Sequence, residues 1–465
     1  MRRLATLMCS GILLAAGCGG DDDGDGSGGP DASVPDDILE FLQGIPGMTV
    51  SEDASPGSGY RFFHLTYEQP ADHDDPDGVI FQQRMTLLHI DREAPVVLHT
   101  SGYYAYDQPF AAELTNLLGA NQLHVEQRFF EPSRPDPADW SLLRIAQAAA
   151  DHHRIVEAMR PYYGGAWVAT GASKGGMTSV YHRRFYPDDV DATVAYVAPI
   201  SHGAPDDSYQ PFFDTVGTES CRSALRDYQH ELLSRRANMV ARMESFGEEN
   251  GITFVRSDGA AGAFEDSVVE FPWGFWQYGE AAYCDAIPPT SATSDELWNF
   301  HVELGELAYY GDQEIEDYIP YFYQAEAELG YPSMPTAHID DLLETQDVER
   351  DYMPPDVTVT FEPDAMDDIQ SWVSSEGERL LFIYGGNDPW SAGAFELGSA
   401  SDSFLFTAPG LNHGASIADL TADDQATALD AIERWTGVTP QAAAARRRPA
   451  LPPEPAPPHL RPRLH

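Results

Sequence analysis

Gly171-Ala172-Ser173-Lys174-Gly175, with Gly176 after it, fits the pattern G-x-S-x-G. Five letters occur by chance, but here a strand-like run, Trp167 to Thr170, ends just before them and a helical run begins near Gly175. Strand, sharp turn and helix are the setting that exposes a nucleophilic serine. Glycines flank it because such a turn brings backbones too close for side chains. A serine hydroxyl attacks only when a base takes its proton. Two later loops supply a base and an acid in the order Ser, Asp, His. Arg379 to Tyr384 opens into Gly385-Gly386-Asn387-Asp388-Pro389-Trp390, and Ser403 to Thr407 opens toward Pro409-Gly410-Leu411-Asn412-His413-Gly414. Asp388 would orient His413 and stabilise its imidazolium, and His413 would shuttle the proton. Alone, Asp388 reads as a turn aspartate and His413 as a loop histidine. In order and in matching contexts, Ser173, Asp388 and His413 predict a catalytic triad. His202 is the rival base, but it lies before any later acid in the chain. An oxyanion hole needs two backbone N–H groups. Lys174, the residue after the nucleophile, supplies one, and Tyr103 in Ser101-Gly102-Tyr103-Tyr104 is the choice for the other. Lys174 is the only lysine of the chain, and its side chain is assigned no role.

Those loops need a scaffold. Tyr60 to Leu65 and Ile80 to Ile90 read as strands, followed by short buried-strand runs at Pro95 to Thr100 and Gln122 to Glu126. Leu142, Ile145, Ala146, Ala149, Val156 and Met159 share one face of a helix. Trp167 to Thr170, a helix ended by Pro187, and the strand Ala192 to Ala198 continue the alternation. Alternating strands and helices predict an α/β protein with a parallel sheet covered on both faces. Together with the elbow this predicts an α/β-hydrolase fold. From about Ala204 to Gln370 the alternation stops. Helical runs at Arg222 to Phe246 and Asp295 to Leu307, with an aromatic patch from Phe271 to Tyr278, predict a mostly helical cap inserted between the nucleophile and the triad acid. A last helix is expected from Ala422 to Trp435. The expected parts are 1–17, a signal peptide; 18–37, a flexible tether; 38–203 and 371–437, the hydrolase core; 204–370, the cap; and 438–465, a disordered Pro/Arg-rich tail.

Charge and cysteines narrow the class. Seventy-five Asp and Glu against 27 Lys and Arg give a net charge of -48. Such a chain repels phosphate backbones, which excludes nucleic acid as a partner. There is no HExxH, no Walker loop and no dinucleotide fingerprint, so no metal and no cofactor is expected. Arg2 and Arg3 precede an apolar run, Leu4 to Ala16, too short to span a bilayer and typical of an export signal. Leu14-Ala15-Ala16-Gly17-Cys18 resembles a lipobox, which would leave Cys18 lipidated and make that anchor the only membrane contact. Its leucine sits one position early, so ordinary signal-peptidase cleavage and free secretion stay open. Of four cysteines, Cys9 and Cys18 fall in this leader, and in an oxidising compartment the remaining Cys221 and Cys284 are expected to pair.

Several longer motifs resemble the secreted bacterial tripeptidyl aminopeptidases of the PS-ten serine peptidases. They are Gly171 to Thr178, Tyr181 to Pro187, Glu126-Gln127-Arg128-Phe129-Phe130-Glu131-Pro132-Ser133, Gly386 to Trp390 and Asn412-His413-Gly414. The resemblance spans about Tyr60 to Trp435, and the last three motifs are more loosely similar to prolyl carboxypeptidase and dipeptidyl peptidase II. One departure is Gln127, where the family motif more often has histidine. The resemblance implies an exported serine exopeptidase that takes short peptides from free N-termini, often near proline, with Ser173, Asp388 and His413 as its triad. It also implies that Glu126 and Arg128 lie near the substrate, with Glu126, or Glu131 as its rival, facing the peptide's ammonium group. Two other classes fit a hydrolase scaffold: a carboxylesterase or lipase using the same triad, and a surface-anchored binding protein without catalysis.

Overall fold

The computed structural model describes residues 34–346, 350 and 352–441. The expected leader 1–17, Cys18, most of the tether and the tail from 442 onward lie outside the described residues. All the regular elements belong to one compact unit that begins at Pro35.

Among the described residues, nine strands form a single sheet: β1 Met48–Gly57, β2 Tyr60–Pro70, β3 Ile80–His89, β4 Val96–Thr100, β5 Asn121–Val125, β6 Trp167–Ala172, β7 Ala192–Tyr196, β8 Leu380–Gly385 and β9 Phe404–Ala408. Their order across the sheet is β1-β2-β3-β5-β4-β6-β7-β8-β9. The first three strands are antiparallel neighbours, β3 meets β5 antiparallel, and every pair from β5/β4 to β8/β9 is parallel. The parallel strands β4, β5 and β8 are buried at every position, as strands covered on both faces must be. One face carries Leu114, Leu117, Ala428 and Ile432 against Val97, Val194 and Ile383. The other carries Ile145, Ala149, Val180 and Tyr181 against Ala195, Phe382 and Tyr384. With the serine turn directly after β6, this is the α/β-hydrolase fold.

Between the adjacent strands β7 and β8 the chain leaves the sheet and runs through mostly helical structure. Among the described residues, six α-helices share a hydrophobic cluster of their own, centred on Tyr228, Phe264, Phe271 and Trp276: Gln210–Thr215, Glu219–Ser234, Arg236–Asn250, Gly259–Val269, Phe271–Tyr278 and Ser294–Leu304; the helix Asp312–Gln324 follows them outside that cluster. The helix expected over Arg222 to Phe246 is two helices parted at Arg235, whose guanidinium is held by Ala292 O and Glu231. Ser294–Leu304 begins with a reciprocal capping box, Thr293 with Glu296, which satisfies two otherwise orphaned donors. Cys221 and Cys284 are bridged, Cα to Cα 5.1 Å, tying the start of Glu219–Ser234 to the turn after Phe271–Tyr278. The helix Asp364–Glu376 packs Met366, Ile369, Trp372 and Val373 against the sheet. The boundary expected at 370 therefore falls inside a helix of the core.

Candidate active site

Ser173 stands between β6 and the helix Lys174–Phe185 at φ 56°, ψ -128°. A side chain reaches positive φ only when its surroundings impose it. Here the Ser173 N–H is held by Tyr196 O of β7 at 2.9 Å while its own carbonyl accepts from Met177 N at 3.0 Å. The flanking glycines are dictated by contact. A Cβ on Gly171 would stand 2.6 Å from Thr100 O, and one on Gly175 would stand 2.3 Å from the same atom. Any side chain there would push the helix Lys174–Phe185 off β4.

Asp388 follows β8 and is fully buried. One carboxylate oxygen accepts the Trp390 N–H at 3.1 Å, and the other lies 2.7 Å from His413 Nδ1. That bond places the His413 proton on Nδ1 and leaves the Nε2 lone pair outward as a base. Nε2 is buried and has no hydrogen-bond partner among the described residues. The loop carrying His413 after β9 is held by the end of the helix Phe271–Tyr278. His413 N donates to Gln277 O at 3.0 Å, and Asn412 Nδ2 donates to Tyr278 O at 3.1 Å and Gly279 O at 3.0 Å. The helical segment between β7 and β8 therefore buttresses His413, and the Cys221–Cys284 bridge pins the chain a few residues beyond that contact.

The oxyanion candidates differ in availability. Lys174 opens its helix, so its N–H has no intrahelical acceptor. The Tyr103 N–H already donates to Ser101 Oγ at 3.1 Å, which corrects the expectation that it is a free donor. The Lys174 side chain, assigned no role by the sequence, is buried. Nζ donates to Gly102 O at 2.5 Å and sits 5.3 Å and 5.6 Å from the ring centroids of Tyr103 and Phe130. Burial lowers its pKa from 10.5 to about 7. This single ammonium fastens the turn after β4 to the helix Lys174–Phe185.

Other sequence candidates lie elsewhere. His202 is a surface residue 2.7 Å from Asp367, away from the Asp388–His413 pair. The Glu126 side chain is fully buried. It takes Arg84 Nε at 2.9 Å, Ala105 N at 2.8 Å and Ser133 Oγ at 2.7 Å. Arg128 is buried too, gripping Asp151 at 2.7 and 2.8 Å and donating to the carbonyls of Pro70, Ala71 and Leu142. Arg128 braces the sheet's junction with the helix Ile145–Met159, Glu126 ties β3 to the loops at Ala105 and Ser133, and the geometry does not support their binding substrate. Glu131 is exposed and pairs with Arg134 at 3.2 Å. Among the described residues no cluster of His, Cys, Asp or Glu is placed to hold a metal, and no helix is long and apolar enough to cross a membrane.

Tyrosines stand beside His413 and beside the turn after β4. Tyr278 lies edge-on to His413 at 6.3 Å, and Tyr103 meets Tyr318 at 5.6 Å and Tyr321 at 5.9 Å. Tyr278 is 36 % exposed, yet burial drives its phenol far above its ordinary range.

The model of the PS-10 peptidase S37 family matches residues 31–453. Over 419 residues, 89% of this chain and 87% of that protein, the sequence is 45% identical to the prolyl tri/tetrapeptidyl aminopeptidase of Streptomyces mobaraensis. A stretch of 177 residues, 34% of this chain and 36% of that one, is 26% identical to the lysosomal Pro-X carboxypeptidase of Mus musculus. Among solved structures, acetyl xylan esterase 1 from Thermoanaerobacterium sp. JW/SL YS485 aligns with 85% of this chain and 92% of its own at 10% identity and a TM-score of 0.35. With the family model matched over most of its length, and close to half its residues shared with a full-length relative, the chain belongs to the PS-10 peptidase S37 family.

Proposed function

We propose that this chain is an exported serine aminopeptidase that releases peptides of three or four residues, with proline favoured near the cut, from free N-termini. The observation that carries the chemistry is the Asp388–His413 bond of 2.7 Å with a buried, unpartnered Nε2, in a fold that holds Ser173 on a sharp turn. The substrate class comes from the 45% identical Streptomyces relative. Ser173 Oγ attacks the scissile carbonyl carbon as His413 Nε2 takes its proton, and the new oxyanion lies against the Lys174 N–H. The tetrahedral intermediate collapses when His413 returns that proton to the leaving amine, and the C–N bond breaks. Water, deprotonated by His413 in turn, then attacks the acyl-serine and frees the short peptide. The helices between β7 and β8 act as the cap, walling one end of the cleft so that chain ends enter and loops do not.

Export and anchoring belong to the same proposal and rest on Arg2, Arg3, the apolar run and Cys18. The intact mass of the mature protein distinguishes a diacylglyceryl cysteine at Cys18 from a plain cleaved terminus. For the activity, a tripeptidyl-p-nitroanilide with proline before the scissile bond is compared with its N-acetylated twin. A free-amine advantage in kcat/KM of about a hundredfold or more supports the proposal. Equal rates rule out an aminopeptidase and favour an esterase or endopeptidase.

A further inference from the structure

Beyond His413 the chain returns to the core through Ala415 and Ile417, which share a hydrophobic cluster with Leu114, Leu117 and Tyr196. There it makes the short turn Ile417–Asp419. The first N–H groups of a helical turn find no acceptor inside it, and against an apolar cluster each needs one. The turn meets half of that need itself. Ser416 N donates to the Asp419 carboxylate at 3.0 Å, and Asp419 N donates to Ser416 O at 3.1 Å. The other two donors go to a residue far away in sequence. Ile417 N and Ala418 N each donate to Glu113, one to each carboxylate oxygen, at 3.0 Å.

Glu113 has a third bond, and that bond leads to the nucleophile. The Tyr196 hydroxyl donates to Glu113 Oε2 at 2.9 Å. Tyr196 ends β7, and its carbonyl is the acceptor that holds the Ser173 N–H at 2.9 Å. A Cβ on Gly176 would stand 3.0 Å from that carbonyl, so the first turn of the helix Lys174–Phe185 rests against it. An unbroken run of hydrogen bonds therefore joins the segment after His413, through Glu113 and Tyr196, to the backbone of Ser173. A carboxylate suits the place because both its oxygens only accept. No cation pairs with Glu113 among the described residues, so these three donors are what offset its charge. The anchors before this segment, His413 N on Gln277 O and Asn412 on Tyr278 O and Gly279 O, belong to the helices between β7 and β8.

We propose that Glu113 is a positioning residue of the reaction: it ties the loop of His413 and the turn of Ser173 to one carboxylate and so sets the base against the nucleophile. Glu113 touches no reacting atom. The proposal rests on the reading above of Ser173 as nucleophile and His413 as its base. Attack and proton transfer both depend steeply on placement, so loosening either end of this run costs rate before it costs binding. Glutamine fills the same space but has one oxygen and one N–H₂ group. With Ile417 N and Ala418 N aimed at different oxygens, one of them would then face a donor. Aspartate keeps both oxygens on a side chain one methylene shorter.

The test is the rate at which a fluorophosphonate labels Ser173, measured beside kcat and KM for a tripeptidyl-p-nitroanilide. Labelling reads the Ser173–His413 pair without requiring the peptide to bind. The chains compared are wild type, Glu113→Gln, Glu113→Asp, Tyr196→Phe, and Glu113→Gln combined with Tyr196→Phe. Glu265→Gln is the structural control. Glu265 also accepts two consecutive backbone N–H groups, Glu344 N at 2.8 Å and Thr345 N at 2.7 Å, but within the segment between β7 and β8. Circular dichroism and urea unfolding confirm that each variant is folded. The expected result is that Glu113→Gln slows labelling and lowers kcat at least tenfold, with KM within about threefold of wild type. Glu113→Asp should recover part of the loss, while Glu265→Gln loses stability and labels at the wild-type rate. The combined variant should lose no more than Glu113→Gln alone, since both substitutions break one run of bonds. A folded Glu113→Gln that labels at the wild-type rate overturns the proposal, and so do losses that multiply in the combined variant. If Glu113→Gln does not fold, Glu113→Asp and Tyr196→Phe decide: slowed labelling in both supports the proposal, and a wild-type rate in either overturns it. A wild-type chain that takes no label on Ser173 overturns the underlying reading of the nucleophile instead.

Discussion

Lys174→Met removes a charge that the fold holds without a carboxylate partner. The ammonium has Gly102 O at 2.5 Å and two aromatic faces as its neighbours, and its pKa falls from 10.5 to about 7. A lysine whose folded pKa lies below its unfolded one destabilises the fold in full below the folded value. That destabilisation fades as pH rises from about 7 toward about 10.5, because there the unfolded chain binds the extra proton. At about 1.4 kcal/mol per pH unit the full effect is on the order of 5 kcal/mol. Between pH 6 and pH 9 the destabilisation shrinks by about 2–3 kcal/mol. Methionine carries no charge, so the stability of Lys174→Met relative to wild type, from urea unfolding at the two pH values, should fall by about that much from pH 6 to pH 9. All other titrations cancel in this difference. kcat/KM should drop at least tenfold, since Gly102 and Tyr103 lose their anchor beside the nucleophile. A stability difference independent of pH refutes a buried ammonium, and an undiminished kcat/KM refutes the anchoring role.

Asp388→Asn should leave the fold intact and lower kcat by about 10³–10⁴-fold, because the amide no longer fixes the His413 tautomer; stopped-flow and steady-state assays read this. Replacing Cys221 and Cys284 by alanine should lower stability by up to about 4 kcal/mol for a closure of 63 residues, measured by chemical unfolding, and thiol titration of the unfolded, unreduced protein should find neither cysteine free. Glu126→Gln should destabilise by roughly 3 kcal/mol, since Arg84 and two other donors lose a buried partner, without changing the ratio between free and acetylated substrates; a collapse of that ratio would return Glu126 to the substrate site.

The loops that carry Ser173, Asp388 and His413 were legible because each is announced locally. A strand, a turn rich in glycine and one polar residue recur in fixed order, and the parallel sheet brings the loops after β6, β8 and β9 to one edge. The buried strands were legible for the same reason: Val96 to Thr100 and Leu380 to Tyr384 are apolar runs bounded by turn residues. β1 was not. Met48–Gly57 carries Ser51, Glu52, Asp53, Ser55 and Pro56 and lies mostly in solvent, so only its pairing with β2 makes it a strand. Glu126 stands beside the right residues in sequence, but sequence does not show that its side chain turns toward Arg84. Lys174 drew notice as the lone lysine, whereas its burial depends on Gly102, Tyr103 and Phe130, which arrive from two other loops.

The account stands on Ser173 being the nucleophile activated by His413. A fluorophosphonate probe, followed by peptide mapping of the labelled protein, reads this in one experiment. The expected result is a single adduct on Ser173 whose formation tracks the loss of peptidase activity and slows by orders of magnitude in His413→Ala. An active enzyme that takes no label, or one inactivated through a different residue, would contradict it.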